Sequence, residues 1–434
     1  MKRSLLLIVA AVLGSTAATR AQSYTLEECT TLALENNRTL QNSRLDAQIS
    51  TETRREAFTN FFPTVAAGGM AFYASDEVMK LSVPINLPIP GLSLPPMSMG
   101  MMKHGLMGGV TAVQPLFAGR QVAAGNRLAR IGEEAGGLKV AVSERDVRET
   151  VQKYYWQLVA LRGKLQTLDV VEQQLARIRS DVETAIRAGI STRNDLLRVE
   201  LKQQEVASSR LKVENGITVY RLLLAQYVGV PQGEPFDIAS PGDTLPTPPE
   251  GWYTDALEAA ERRPEAQLLG KNLEAAKQQI RMTRGKNMPT IGVGAGYLYH
   301  DLTGQDNDFG MVFASVSVPI TSWWGGSHAV KREQLKQRQA ENERRQAVEM
   351  MEVEITQCWH EACEAYEQIL LAQKSIASAT ENLRMNEDYY RAGTVALSDL
   401  LEAQTLLQQS RDQLTDATAD YRVKLSRYRL VTGQ

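Results

Sequence analysis

Two segments 204 positions apart spell nearly the same turn: RAGISTRNDLL over Arg187–Leu197 and RAGTVALSDLL over Arg391–Leu401. Each has Arg-Ala-Gly, a short polar stretch, then Asp-Leu-Leu with the Asp six residues after the Gly. Each stands where one long helical pattern stops and another begins. The chain therefore reads as a tandem duplication of a helix–turn–helix unit, and its function has to be read from the repeat.

The repeat extends beyond the turns. Pro115-Leu116-Phe117-Ala118-Gly119 precedes one long helical stretch, and Pro319-Ile320 through Gly325-Gly326 precedes the other, the two prolines again 204 apart. Upstream, Phe62-Pro63 and Met288-Pro289 each close a helical stretch and open a run rich in Gly, Ala, Val and aromatics. These prolines are 226 apart, so the first repeat carries an insertion between Pro63 and Pro115. Both halves read helix, strand, loop, strand, long helix, turn, helix. The expected boundaries are 22–230 for the first repeat, 231–250 for a proline-rich linker that cannot extend a helix, and 251–434 for the second repeat.

Ahead of the first repeat, Lys2-Arg3 precedes an apolar run from Leu5 to Gly14, then small residues and Thr19-Arg20-Ala21. This pattern predicts a secretory signal peptide over 1–21, removed after Ala21. No later apolar run is long enough for a transmembrane helix. The mature chain is thus expected either to be soluble in an exported compartment or to enter a membrane as β-strands. A formal net charge of −2 gives no basic face for nucleic acid. The three cysteines, Cys29, Cys358 and Cys363, do not make a disulfide framework and fit buried small hydrophobes.

The helical stretches are too long for a globular core. Val147, Val151, Tyr154, Leu158, Leu161, Leu165 and Leu168 alternate steps of four and three, a heptad seam, and Val171 then follows after only three. A proline-free helix over Arg120–Arg187, with small-residue interruptions near Gly132, Gly136 and Gly137, would run on the order of 100 Å. Ser327–Arg391 repeats this, and Leu400, Leu407, Leu414, Tyr421 and Tyr428 mark one stripe of the last helix every seven residues. Tyr24–Phe61 reads as one helix, with Thr25 as N-cap and Glu28 completing a capping box.

Strands are expected at Pro63–Ala74, Gly105–Phe117, Pro289–Asp301 and Phe309–Ile320. In the last of these, Val312, Ala314, Val316, Val318 and Ile320 share one face while Ser315 and Ser317 take the other, the alternation of a membrane wall. Ser75–His104, rich in Pro and Met, is excluded from helix and from central sheet. Four strands cannot close a barrel, since the smallest membrane barrels need about eight. Long helices likewise cannot bury their seams alone, so several copies are expected to assemble around a common axis.

With the signal peptide, the duplicated order of elements, the strand exit Pro-Leu-Phe-Ala-Gly-Arg and the paired Ala-Gly-x5-Asp turns in place, the chain resembles the TolC-type outer-membrane efflux protein family over essentially its whole mature length. The resemblance implies a mostly α fold with a small β part. It implies a homotrimer whose strands form one 12-stranded outer-membrane β-barrel continuous with a periplasmic α-helical barrel. The function it implies is a passive exit duct of a tripartite efflux or type I secretion system. Its partners would be outer-membrane lipid, a periplasmic adaptor (membrane fusion) protein and an inner-membrane RND or ABC-type pump that supplies the energy.

In that family the helix–turn–helix tips form a closable periplasmic entrance with acidic rings. Asp399 and Glu402 match the acidic pair of the second repeat, and Asp195 the single aspartate of the first. Residues three apart share a helix face, and three copies would make a ring of carboxylates that attracts cations. The plainer alternative is that these acids cap or solvate helix starts. Tyr390 matches the family's latching tyrosine, but Val395 stands where the latching arginine is expected, and Arg193 is a candidate for a different ion pair. Arg187, Ala188, Gly189, Leu196, Arg391, Ala392, Gly393 and Leu400 form the turns at which an adaptor would dock, with Gly189 and Gly393 expected in the left-handed backbone that ends a helix.

No phosphate loop, nucleophile elbow or zinc signature is present, so the chain is not expected to be an enzyme, and no cofactor is implied. His360 among Trp359, Glu361 and Glu364 makes no metal quartet. Met97, Met99, Met101, Met102 and Met107 with His104 are soft ligands of the kind that suit Cu(I), although thioether clusters are more often packing. Trp323-Trp324 and Phe117 read as an aromatic belt or as core at the strand exits. The competing function is an exported coiled-coil scaffold or an adaptor without pore activity; adaptors carry one hairpin flanked by β-rich halves, and two hairpins with few strands favour the duct.

Overall fold

The computed structural model describes residues 22–76, 78–83, 97–231, 234–239, 245–302, 306–320 and 322–434. The expected signal peptide over 1–21, most of the Pro/Met-rich insertion and parts of the linker lie outside them, as do the side chains of Met97, Met99, Met101 and Trp323. In chain order the first repeat gives β1 (Gln22–Tyr24), α1 (Leu26–Asn36), α2 (Arg38–Thr59), β2 (Thr64–Tyr73), β3 (Met79–Val83), β4 (Met97–Met101), β5 (His104–Ala118), α3 (Gln121–Arg187) and α4 (Arg193–Val228). There follow β6 (Phe236–Ile238), α5 (Ala256–Arg262), α6 (Pro264–Gly285), β7 (Thr290–Asp301), β8 (Asn307–Ser317), α7 (Ser322–Arg391) and α8 (Leu397–Thr432). The fold is mostly helical with a small strand part.

Two compact units are present, and each draws on both repeats. The helical unit takes the chain up to Ala47, Gly137–Leu268 and Arg344–Gln434; the other takes Gln48–Gly136 and Leu269–Glu343. In the helical unit most of the heptad seam is a core, with Tyr154, Leu161 and Leu165 half-buried. Val147, Val151, Leu158, Leu168 and Val171 are all at most 2% exposed, and after the three-residue slip the seam resumes with Leu175 and Val182, both fully buried. On α8, Leu400, Leu407, Tyr421 and Tyr428 are buried in the same way.

Two expectations are corrected. The helix expected over Tyr24–Phe61 is two helices. The Thr25–Glu28 capping box opens α1, but Asn37 takes extended backbone and its Oδ1 accepts from the backbone N–H groups of Thr39 and Leu40 at 3.0 and 3.2 Å. Asn37 thus ends one helix and caps the next. Conversely, Gly132, Gly136 and Gly137 do not interrupt α3, which runs unbroken for 67 residues; interior glycines cost about 1 kcal/mol each, and the length of the helix absorbs it. Within the linker, β6 pairs in parallel with β1, and Pro249–Trp252 forms a short 3-10 turn.

The second unit holds a four-stranded antiparallel sheet in the order β2–β5–β7–β8. β8 covers Asn307–Ser317 rather than Phe309–Ile320, since Pro319 has no N–H for the ladder. A bulge between Pro115 and Phe117 shifts the β5–β7 register. The Pro/Met insertion, excluded from helix and central sheet by its composition, contributes the separate two-stranded ribbon β3–β4, with Met79 opposite Met101 and Leu81 opposite Met99.

Candidate functional site

The two repeat turns are built alike to the hydrogen bond. Gly189 has φ +76° and Gly393 φ +72°, the left-handed region that glycine enters without a Cβ penalty. Across the first turn the N–H of Ile190 donates to the carbonyl of Ala185 at 3.0 Å, and that of Gly189 to Ile186 at 3.0 Å. Across the second, Thr394 donates to Tyr389 and Gly393 to Tyr390, both at 3.0 Å. These are helix-ending loops of the Schellman type, placed 204 residues apart.

The helix starts that follow differ. Thr192 caps α4 and forms a reciprocal capping box with Asp195. The Asp195 carboxylate accepts from the Thr192 hydroxyl at 2.8 Å, the Thr192 N–H at 3.2 Å and the Ser191 hydroxyl at 3.0 Å. Burial opposes its ionisation, but the Thr192 and Ser191 hydrogen bonds outweigh that and hold the carboxyl below its ordinary value. At α8 the capping position is Ala396, which has no side-chain hydrogen bond to give. Asp399 is therefore outside a capping box: it is exposed, and among the described residues its side chain takes a 3.3 Å contact from the Ser398 hydroxyl, while Glu402 is exposed one turn on.

Beneath both turns lies one apolar cluster. Leu400 is 3% exposed within it, together with Val182, Val199, Leu397 and Leu401. Leu196 and Tyr390 pack against it half-buried. The residues left at the surface are Arg187, Ala188, Gly189, Arg391, Ala392 and Gly393. Sequence reasoning passed over Ile190, which is 82% exposed at the first turn; an apolar residue between Gly189 and Ser191 was the signal available. Burial first, and then the nearby carboxylates of Asp195 and Asp181, push the Tyr390 phenol up from its ordinary pKa. The two repeats thus meet at Tyr390 and Asp195. Arg193 is exposed and makes no ion pair among the described residues, and Val395 is half-buried.

In the sheet, Val65, Ala67, Val110, Ala112, Val293, Ala295, Val312 and Val316 fall on one face by their register. Val312 is 85% exposed, Val316 67% and Val65 66%, so this apolar face is bare in the single chain. Strands β2 and β8 are both unpaired along their outer edges among the described residues. Open edges of this kind template pairing with another chain. None of the described helices is long and apolar enough to cross a membrane.

The other residues singled out by the sequence do not converge. Among the described residues no group of three His, Cys, Asp or Glu side chains is placed to hold a metal ion. Met102 adopts φ +65° beside the start of β5, where His104 pairs with Tyr73. Cys29, Cys358 and Cys363 are free thiols, and burial pushes that of Cys29 up to about 12.

The profile of the outer membrane efflux protein family matches residues 30–230 and 257–434. Protein CyaE of Bordetella pertussis is 26% identical over 171 residues, which is 38% of this chain and 35% of that protein. The matched part thus spans about a third of the length of this curated relative. The fold is similar to that of CusC (TM-score 0.79, 16% identity, 96% of this chain and 93% of that one). It is also similar to VceC of Vibrio cholerae (0.75, 14%, 94% and 96%) and to the open state of the MtrE outer membrane channel of Neisseria gonorrhoeae (0.71, 17%, 96% and 93%). A duplicated strand and long-helix hairpin, matched by one family profile over both repeats, identifies the chain as a member of the outer membrane efflux protein family.

Proposed function

We propose that this efflux protein is a passive exit duct assembled from three copies, with a gated acidic entrance at its repeat turns. The sheet carries the reading: four strands with two open edges and a bare apolar face need further strands and a lipid surround. Three copies give twelve strands, enough for a barrel with a polar or mixed interior. The long helices would continue as a helical barrel across the periplasm. A periplasmic adaptor would dock on the exposed Arg-Ala-Gly segments, and an inner-membrane RND or ABC-type pump would supply the energy.

Within this reading the two acids of α8 face the entrance and Asp195 does not act as their equal. Asp399 and Glu402 are exposed and lie one helical turn apart, whereas Asp195 is held by its Oδ2, which accepts from Thr192 and Ser191. Three copies of an exposed acidic pair attract cations into a constriction. The expected result for the double variant Asp399→Asn/Glu402→Gln is a several-fold fall in the cation-to-anion permeability ratio, read from reversal potentials in a salt gradient. Block by multivalent cations should weaken with it. An unchanged ratio in a channel of normal conductance would take both residues out of the pore.

A further inference from the structure

The sheet face turned away from the bare valines carries the alternate residues of the same four strands. At its helix end stand Thr64, Thr290, Ser315 and Ser317. Toward the far tips of the strands come Phe313, Met311, Phe309, Leu298, Met70 and Met107. Met70 is 56% exposed and Phe309 44%. Apart from His300, the paired residues of this face include no acidic or basic side chain. In the duct reading, on which this inference rests, the valine face meets lipid and this one lines the lumen. Water-filled barrel lumens are ordinarily polar, and the far half of this one departs from that.

Its large side chains lie across glycines of the neighbouring strand. Gly294 faces Phe313 and Gly109 faces Leu298 in the ladder. A Cβ on Gly294 would run into the Phe313 ring, and one on Gly109 would come within 2.7 Å of Leu298 Cδ2. A side chain laid over a glycine spreads its apolar surface along the wall without closing the bore. The Phe309 ring stands edge-on to His300, with centroids 6.0 Å apart. Together these residues make a collar of rings and thioethers. An aromatic solute withdraws that surface from water, stacks offset on the rings and takes sulfur–aromatic contacts from the methionines. With His300 its one titratable side chain, the collar selects for apolar surface and not for sign of charge.

We propose that this collar binds uncharged aromatic organic molecules in transit through the duct. An ionic cargo finds no opposite charge among Met70, Met107, Phe309 and Met311, and a fully polar one leaves their rings and thioethers hydrated. The site lies in the sheet alone and is separate from the acidic entrance.

Current block of open channels in a planar lipid bilayer provides the readout. The probes are two uncharged polyethylene glycols of one length, short enough to enter the pore, one capped with pyrene and the other with a hydroxyl. In the wild-type protein the pyrene-capped chain is expected to block for about tenfold longer, the effect of withdrawing roughly 55 Å² of apolar surface from water. Phe309→Ser/Met311→Ser should shorten the pyrene blocks toward those of the hydroxyl-capped chain. Phe309→Leu, which keeps bulk on the strand and removes the ring, should shorten them in part and guards against loss of the barrel in the double variant. Val312→Ser, on the opposite face of the same strand, should leave them long. Equal block times for the two polymers in wild-type channels overturn the proposal and leave the duct standing, the collar then being covered within the oligomer. Long pyrene blocks that neither Phe309 variant shortens, or that Val312→Ser shortens as much, overturn it as well. A wild-type oligomer with no conductance steps before polymer is added removes the duct reading, and the collar with it.

Discussion

Tyr428→Ala destabilises the helical unit by about 3–5 kcal/mol, the range for truncating a buried aromatic, while Tyr428→Phe loses only about 0.5–1.5 kcal/mol. The side chain is fully buried. Its ring stacks at a tilt against Trp359 with centroids 5.1 Å apart, and its hydroxyl oxygen accepts from the Thr254 N–H at 3.0 Å. It packs with Ile355, Cys358, Ala259 and Val431, where α5, α7 and α8 meet. Alanine would leave a cavity that three helices cannot jointly collapse. Phenylalanine keeps the packing and strands one N–H near the connector. The measurement is the thermal midpoint of helical circular dichroism in detergent, and the order wild type, Phe, Ala is the outcome to check. Similar midpoints for Phe and Ala would mean that the hydrogen bond, not the packing, holds α8 in place.

The second large effect is electrostatic. Arg263 ends α5, its extended backbone dictated by the following Pro264. Its side chain is 8% exposed and pairs with Glu354 at 2.6 Å and Glu265 at 3.2 Å. Arg145 pairs with Glu265, and Arg427 with Glu354 at 3.3 Å. Burial disfavours ionisation of both glutamates, but the Arg263 guanidinium, joined by Arg145 and a backbone hydrogen bond at Glu265 and by Arg427 at Glu354, outweighs it and holds both carboxyls below the ordinary value of 4.5. Arg263→Met keeps most of the buried stem and removes the charge. Breaking a fully buried pair costs about 3–5 kcal/mol. Glu265 and Glu354 keep 22% and 37% of their side-chain surface, so solvent screening reduces the expected loss to roughly 2 kcal/mol. Depressed carboxyl pKa values stabilise the folded form above the ordinary value, and that contribution disappears as pH falls through the lowered ones. Wild-type protein should therefore lose stability on acidification below about pH 4.5, and Arg263→Met should lose less over the same interval, having less to give up. Parallel pH profiles for the two proteins would remove Arg263 from this role.

How much of this was legible in the residues depended on range. The two Ala-Gly turns were readable because a helix stop is a local event: a glycine after the last helical residue needs only its own left-handed backbone, and Gly189 and Gly393 both adopt it. The Thr25–Glu28 box was readable for the same reason. Asn37 was not, since its amide also reaches the Tyr227 carbonyl at 3.2 Å, far along the chain. Strands β1 and β6 have three residues each, too few to display a period. In the acidic turns, Asp195 and Asp399 share one spacing, yet the residue three before each decides what the carboxylate does. Thr192 draws Asp195 into a cap, and Ala396 leaves Asp399 free of one. That difference was present in the sequence and needed only capping chemistry to be seen.

The single-channel conductance of the purified wild-type oligomer in a planar lipid bilayer tests the duct most directly. Copies of β2–β5–β7–β8 that join edge to edge into a barrel predict discrete, long-lived conductance steps that favour cations. A folded oligomer that inserts into the bilayer yet gives no steps at any voltage would contradict the duct and leave a scaffold with acidic docking turns.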